Sequence, residues 1–444
     1  MTKRRDFIKK VGLGTAALTF GGSALGLSAR SYSQIKGANT KLNFGVAGVN
    51  SRGKAHIKTL LSIENTSIGY ICDVDTRAAE NAAKTIEEAT GKRPKIYADV
   101  RKLLEEKDLD ALTIATPDHW HAPMTILAVK AGKHVYVEKP VCHNLHEAEL
   151  LIALSKKYKQ VVQYGCQGRS GVQNAVGMKD LKDGLIGDVY LAKTWYITKR
   201  PSIGTGKKAP VTEWLSWDLF QGPAPREDYR DNVVHYNWHW FQTWGTGEVG
   251  NNGIHVLDSC RWGLGVDYPE KVTSYGGRYT YADDWQFPDT QNVSYKFSNG
   301  KTIQLEIRCC NNFPMYEGQN GIVFFGTNGT IKIDPESDRY VAYGPDNKII
   351  KEFKGEELQV DDRVGYGSLN GKHFGNWLDV IRNGAKQNAP IAQGAISTSL
   401  CLLGNISQKL GRTLTVSPAG KILNDKEATI MSSRKYEPGW EPKV

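Results

Sequence analysis

A chain of 444 residues with 40% apolar side chains is long enough to build two domains of ordinary size. About half of its formal net charge of +10 sits in the first thirty residues, and the other Lys and Arg residues are mixed with Asp and Glu, with no basic stripe interleaved with aromatics, so nucleic acid is not an expected partner. The seven cysteines, Cys72, Cys142, Cys166, Cys260, Cys309, Cys310 and Cys401, contain no Cys-x-x-Cys pair and the histidines no zinc spacing, which points to small buried thiols rather than a disulfide framework or a metal centre.

The chain opens with Lys3-Arg-Arg-Asp-Phe-Ile-Lys9 before a Gly/Ala-rich, mildly apolar stretch over 11–29. This pattern predicts a twin-arginine export leader and linker over 1–36, with cleavage near Ala29 and a folded protein delivered to the periplasm. The glycines and short length of the stretch argue against a stable membrane span, and no later run is apolar enough to make one.

An apolar strand over 41–47 then runs into Gly48-Val-Asn50-Ser51-Arg52-Gly53, followed by a helix over 55–61. This is a dinucleotide fingerprint with Asn50 in place of the second glycine: Gly48 permits the tight turn, Gly53 permits close helix packing, and the helix N-terminus attracts a pyrophosphate. Asn is the residue that best replaces glycine at positive φ, which keeps the match at Asn50. Asp73, at the end of a second strand, is placed to bind a ribose diol and to repel a 2′-phosphate, favouring NAD over NADP, although Arg52 and Arg77 lie close by in sequence. Strands over 110–115 and 134–137, joined by a helical crossover, end in Thr116-Pro-Asp118-His119-Trp120-His121 and in Glu138-Lys139-Pro140. In an open parallel sheet such strand ends line the ligand crevice, and a lysine there is a candidate for chemistry. A helix over 145–159 and a strand over 161–164 complete a domain spanning 40–165.

The second unit, 166–430 with a tail over 431–444, begins with a helix over 172–183 and a strand over 189–197. The stretch 199–247 is rich in Pro, Gly and Trp without regular period, and a loop that long in a compact chain is usually functional. Alternating segments over 271–281, 290–297, 302–309, 321–325 and 330–333 read as an antiparallel sheet, closed by helices over 373–383 and 395–410. Between loop and sheet lies Gly250-Asn251-Asn252-Gly253-Ile254-His255, and a helix starting near Asn251 would put Asn251, His255 and Asp258 on one face. His255 has an intrinsic pKa suited to proton transfer, with Asn251 to orient it and Asp258 a turn deeper in a structural role. Of Trp195, Trp214, Trp217, Trp238, Trp240 and Trp244, roughly two thirds should fill the core, the others being free to stack on a sugar.

These runs, with Phe44-Gly-Val-Ala-Gly-Val-Asn-Ser-Arg-Gly53, Trp217-Asp-Leu-Phe-Gln-Gly-Pro-Ala-Pro225 and Gly247-Glu-Val-Gly-Asn-Asn-Gly-Ile-His255, resemble the Gfo/Idh/MocA oxidoreductases over nearly all of the chain after the leader. The resemblance implies an α/β protein: an N-terminal Rossmann domain with a doubly wound parallel sheet, and a C-terminal α/β domain with a large, mostly antiparallel sheet that pairs into dimers or tetramers. It implies NAD held along Ser51, Arg52, Asp73, Thr116, the Asp118–His121 run, Glu138, Lys139 and Gln167. Lys139 and His255 would handle the proton, and Arg169, Tyr236, His239 and Trp240 would meet a small carbohydrate, His239 standing where relatives often carry Arg. Polyol-dehydrogenase members often have Asp at the position of Asn251, which would raise the basicity of the histidine more than Asn can. Three activities fit: oxidation of a sugar, polyol or glycoside; a redox-neutral cycle of oxidation, elimination and reduction on a glycoside; or carbohydrate binding without catalysis, which the presence of Lys139, His255 and Asp73 disfavours.

Overall fold

The computed structural model of the chain describes residues 41–334, 339–354 and 368–444, so the expected leader lies outside the described residues. Six strands, β1 (Leu42–Ala47), β2 (Thr66–Cys72), β3 (Lys95–Tyr97), β4 (Ala111–Ile114), β5 (His134–Val137) and β6 (Val162–Tyr164), pair in parallel in the order β3-β2-β1-β4-β5-β6. Their inner strands are apolar at successive positions because helices cover both faces of the sheet. The crossovers are α1 (Arg52–Leu61), α2 (Thr76–Thr90), α3 (Val100–Leu103), α4 (Asp118–Lys130) and α5 (Leu145–Lys157). Helix α4 is buried around almost its whole circumference, even at Asp118, His119 and His121, and so forms an internal wall rather than a surface crossover.

After α6 (Val172–Lys182), strand β7 (Val189–Ile197) opens the second sheet. It contains β8 (Lys271–Gly277), β9 (Thr290–Lys296), β10 (Thr302–Arg308), β11 (Asn320–Gly326), β12 (Gly329–Asp334), β13 (Arg339–Tyr343), β14 (Ile349–Lys354), β15 (Leu414–Val416) and β16 (Ile422–Leu423). The ten strands run in the order β14-β13-β12-β11-β7-β10-β9-β8-β15-β16, antiparallel except for the β7 and β10 pair. The loop over 199–247 contains the short helix α7 (Trp217–Gln221), and α8 (Ile254–Leu264) then packs on β7 and β11. Helix α9 (Leu369–Asn383) starts one turn before the expected 373, where Ser368 caps it by accepting from the Gly371 N–H at 3.1 Å. Helix α10 (Ile391–Leu410) likewise starts at Ile391, behind Pro390, and its apolar surface packs on both α5 and β8, joining the two sheets into one unit over Leu42–Val444. The short helix α11 (Lys426–Ile430) precedes the tail. All seven cysteines are free thiols, and none but Cys310 is more than slightly exposed. Among the described residues no helix is long and apolar enough to cross a membrane.

Candidate active site

The turn after β1 fixes one end of a cavity of about 270 Å³ along the C-terminal edge of the parallel sheet. Gly48 sits at φ 78°, and a Cβ there would meet the Ala115 carbonyl oxygen at 2.5 Å; a Cβ on Gly53 would come within 1.9 Å of the Gly48 carbonyl oxygen. Gly53 therefore acts beneath the cavity, by letting α1 close onto the turn, while Gly48, Asn50, Ser51 and Arg52 line it. Asn50 does not adopt positive φ, so the expectation that it substitutes for glycine conformationally is corrected: the reversal is made at Gly48. Ser51 caps α1 without a side-chain hydrogen bond; the Lys54 N–H is taken by the Ser51 carbonyl at 3.0 Å, which leaves the Arg52 and Gly53 N–H groups to an anion.

Asp73 lies beside this turn, accepting from the Val49 N–H at 2.7 Å and the Asp75 N–H at 2.9 Å, and burial pushes its carboxyl above the usual range. The two arginines that could have received a 2′-phosphate are held elsewhere. Arg52 donates to Glu138 at 2.8 Å and to Asn370 at 2.7 Å, and Arg77 pairs with Asp75 at 2.9 Å under the Trp214 ring, 3.4 Å from its centroid. A glycine turn that no side chain could replace, a carboxylate at the β2 end, and Arg52 and Arg77 both already paired together fit NAD.

The far wall comes from the strand ends after β4 and β5. Thr116, Asp118, Trp120 and His121 line the cavity, whereas His119 is turned behind it, its Nε2 2.8 Å from the Phe220 carbonyl oxygen. Burial holds the His119 imidazole down at about 3. His121 bridges the two strand ends, with Nδ1 2.6 Å from the Pro140 carbonyl oxygen and Nε2 2.8 Å from that of Thr116. Asp118 accepts from the Thr246 hydroxyl at 2.6 Å, and Glu138, buried, from Arg52 and His56, which together hold it well below the carboxylate range against its burial.

The loop over 199–247 closes over this edge as a strap. Its Ser216 N–H donates to the Val74 carbonyl at 2.9 Å, its Trp214 carbonyl accepts from the Thr76 N–H at 3.0 Å, and His235 meets Asp75 at 2.6 Å. Phe220, His235, Tyr236, Trp238 and His239 thereby face the glycine turn across the cavity. Of these, Trp238 is one of the clustered tryptophans left free of the core, whereas His235 carries no sequence signal, since a strap without period gives no register from which to read its inward side. Trp195, Trp217, Trp240 and Trp244 are buried, and Trp240 stacks on Trp285 at 3.8 Å; its expected place in the substrate subsite is corrected to the core beneath it.

Lys139 lines the cavity, and its Nζ donates to the Asn251 backbone oxygen at 2.6 Å and to its side-chain oxygen at 3.3 Å. Asn251 belongs to a π-turn, Val249–Gly253, ahead of α8. The wider turn changes the face on which Asn251 sits, so Asn251 holds Lys139 and not, as its four-residue spacing suggested, His255. His255 does not line the cavity, and among the described residues no hydrogen bond reaches its ring; burial, then the neighbouring Lys139 charge, hold it down at about 3. Asp258 accepts from Arg169 at 2.8 and 3.0 Å, Tyr164 at 2.7 Å and Ser397 at 2.5 Å, and Arg169 overcomes its burial to hold it at about 2. The Arg169 guanidinium is thus spent on this buried pair and does not line the cavity. Gln167 also stands behind the wall, donating to Tyr136 at 3.2 Å and Glu138 at 3.4 Å.

A parallel sheet in this order, with a glycine turn, an acidic β2 end and an inward lysine, defines an NAD-binding oxidoreductase. Residues 42–166 match the family model for the oxidoreductase family with NAD-binding Rossmann fold, and residues 220–332 match the GFO/IDH/MocA C-terminal domain. The two matches together span more than half of the chain, which belongs to the Gfo/Idh/MocA family and is an NAD-dependent enzyme of that type. It is 26% identical over 441 residues to an alpha-N-acetylgalactosaminidase of Shewanella oneidensis, covering 88% of this chain and 90% of the relative. Over 345 residues it is 26% identical to a glycosyl hydrolase family 109 protein of Parabacteroides distasonis, covering 73% and 71%. Its fold matches that of levoglucosan dehydrogenase in complex with NADH and levoglucosan with a TM-score of 0.65, at 19% identity and over 84% of this chain and 99% of the other.

Proposed function

We propose that this chain is a periplasmic oxidoreductase that oxidises a carbinol of a carbohydrate: a sugar, a polyol or a glycoside. The carrying observation is that Lys139, fixed by Asn251, lines the same cavity as Asp73 and the glycine turn. Bound NAD supplies the redox chemistry by accepting a hydride and, in a redox-neutral cycle, returning it. The turn at Gly48, Ser51 and Arg52 and the Asp73 carboxylate would hold the cofactor. Lys139 Nζ, with two of its N–H directions taken by Asn251, has the third for the carbinol oxygen, where it stabilises the negative charge that develops as the O–H proton leaves. The strap excludes water, and the faces of Tyr236 and Trp238 suit a sugar ring. The carbohydrate assignment is supported by the relatives' names and by the ligand of the levoglucosan dehydrogenase complex.

The redox-neutral alternative, in which a glycoside is oxidised, eliminated and reduced without net consumption of NAD, is favoured by the alignment with an alpha-N-acetylgalactosaminidase across 88% of this chain. One experiment separates the two. The purified protein is given NAD with p-nitrophenyl glycosides, including the α-N-acetylgalactosaminide, and with levoglucosan, while NADH absorbance and glycoside cleavage are followed together. NADH without cleavage supports net oxidation, cleavage without NADH supports the closed cycle, and neither from NAD-loaded protein counts against a carbohydrate substrate. The export assignment rests on the leader sequence alone and is tested by fractionating cells that carry Arg4→Lys and Arg5→Lys.

A further inference from the structure

We propose that Arg200 is a positioning residue for the substrate: it fixes the Tyr236 hydroxyl at the cavity wall as a hydrogen-bond donor to a second oxygen of the sugar, other than the carbinol oxygen assigned to Lys139. This deepens the carbohydrate reading and rests on it. Arg200 closely follows β7, where its backbone N–H donates to the carbonyl of Cys309, the residue after β10, at 2.6 Å. Its guanidinium is forked between two elements. Nη2 donates to Glu248 at 2.9 Å, and Nη1 donates to the Tyr236 hydroxyl at 2.7 Å. The Tyr236 and Trp240 ring centroids lie 5.6 and 5.5 Å from the guanidinium carbon, and Trp240 is held in turn against Trp285.

A buried ion pair accounts for only one of the two arms. Glu248 is buried and also accepts from Asn252, so it requires a counter-charge; burial works against the charge on Arg200, and Glu248 outweighs it, raising the guanidinium above its ordinary value. Tyr236 has no such requirement. It is 46% exposed and lines the cavity, its ring 4.7 Å from that of His239, so water could satisfy its hydroxyl. Tying down an exposed side chain costs rotamer freedom, and that cost is recovered when the fixed group meets a ligand.

The direction of this hydrogen bond sets the chemistry. A guanidinium can only donate, so the phenolic oxygen accepts and its own O–H is left for a different acceptor. Among the described residues that hydroxyl makes no other hydrogen bond, and the acceptor it fits is a hydroxyl, ring or acetamido oxygen of a sugar. Glu248 leads into the π-turn from which Asn251 holds Lys139. One guanidinium therefore sets the spacing between two donors, Tyr236 on the strap and Lys139 at the sheet edge. A sugar gripped at two oxygens presents only one of its carbinols for oxidation.

Kinetics of two conservative variants and their combination test this. Arg200→Lys keeps a positive charge for Glu248 but loses the fork, and Tyr236→Phe loses the hydroxyl but keeps the ring. On whichever probe is turned over, levoglucosan or p-nitrophenyl α-N-acetylgalactosaminide, each variant should raise KM by about 5–10-fold, as for one lost hydrogen bond, with kcat and NAD affinity close to those of the wild type. Arg200→Lys added to Tyr236→Phe should raise KM no further, because the arginine then has no hydroxyl to hold. Additive losses, or an unchanged KM in either single variant, overturn the proposal and leave the carbohydrate reading standing. Turnover of no carbohydrate by the wild-type protein overturns both.

Discussion

Asp73 has two tasks, since the carboxylate that faces the cavity also holds the Val49 and Asp75 N–H groups. Asp73→Ala should weaken NAD by about 1.5–3 kcal/mol, the loss expected for a charge-assisted hydrogen bond, and NADP by much less, as read by calorimetric titration of both cofactors. Equal losses would mean that the carboxylate serves only the turn. At Lys139 the partner is the Asn251 amide, 3.3 Å away, so Asn251→Asp would set a carboxylate beside the ammonium. The added charge would draw the ammonium toward the Asn251 position and away from the substrate oxygen, so kcat should fall with NAD affinity unchanged. Wild-type kcat would show that this contact does not set the position of the lysine. The sequence alone makes Lys139 and Asp73 readable because each ends a strand with a clear apolar run. It misdirects at Asn251, where a spacing that assumes 3.6 residues per turn fails across a π-turn.

Helix α8 is fixed by one buried carboxylate. Asp258 ties it to β6 through Tyr164, to the loop after β6 through Arg169, and to α10 through Ser397. Asp258→Ala should cost about 3–5 kcal/mol in urea unfolding, because it leaves the Arg169 guanidinium buried without its partner. With the Asp258 carboxyl at about 2 in the folded chain, against an unfolded value of about 3.9, its charge stabilises the fold above pH ~4, and that contribution is lost as pH falls through 2. Asp258→Asn should therefore flatten the acid-unfolding curve within this window; a curve as steep as that of the wild type would assign acid sensitivity to other carboxyls. Elements whose apolar positions alternate or run unbroken are legible from sequence, as at 134–137, 189–197 and 302–309. Strand β14 is not, because Ile349 and Ile350 stand exposed together at a sheet edge and break the period.

At the scale of the whole molecule, the strap is tied to the cofactor edge through Asp75, Val74 and Thr76, contacts that would slow the exchange of a nucleotide held in the cavity. Protein purified without added cofactor should release near-stoichiometric NAD on denaturation, measured by chromatography of the supernatant. Recovery of none, with weak affinity in titration, would mean that the strap admits exchange freely. Retention of this kind would suit an enzyme exported folded into a compartment poor in free nucleotide.

The tail is part of the same wall. Trp440 packs edge-on against Trp120 at 5.2 Å, with the Arg101 guanidinium 4.2 Å from its ring centroid, and Trp120 lines the cavity. A ribosome making this chain finishes the glycine turn early but reaches Trp440 only after both sheets have been translated. Until then the outer face of Trp120 lacks this packing, so a chain cut short before Trp440 should hold nucleotide less firmly than the full chain in the same titration.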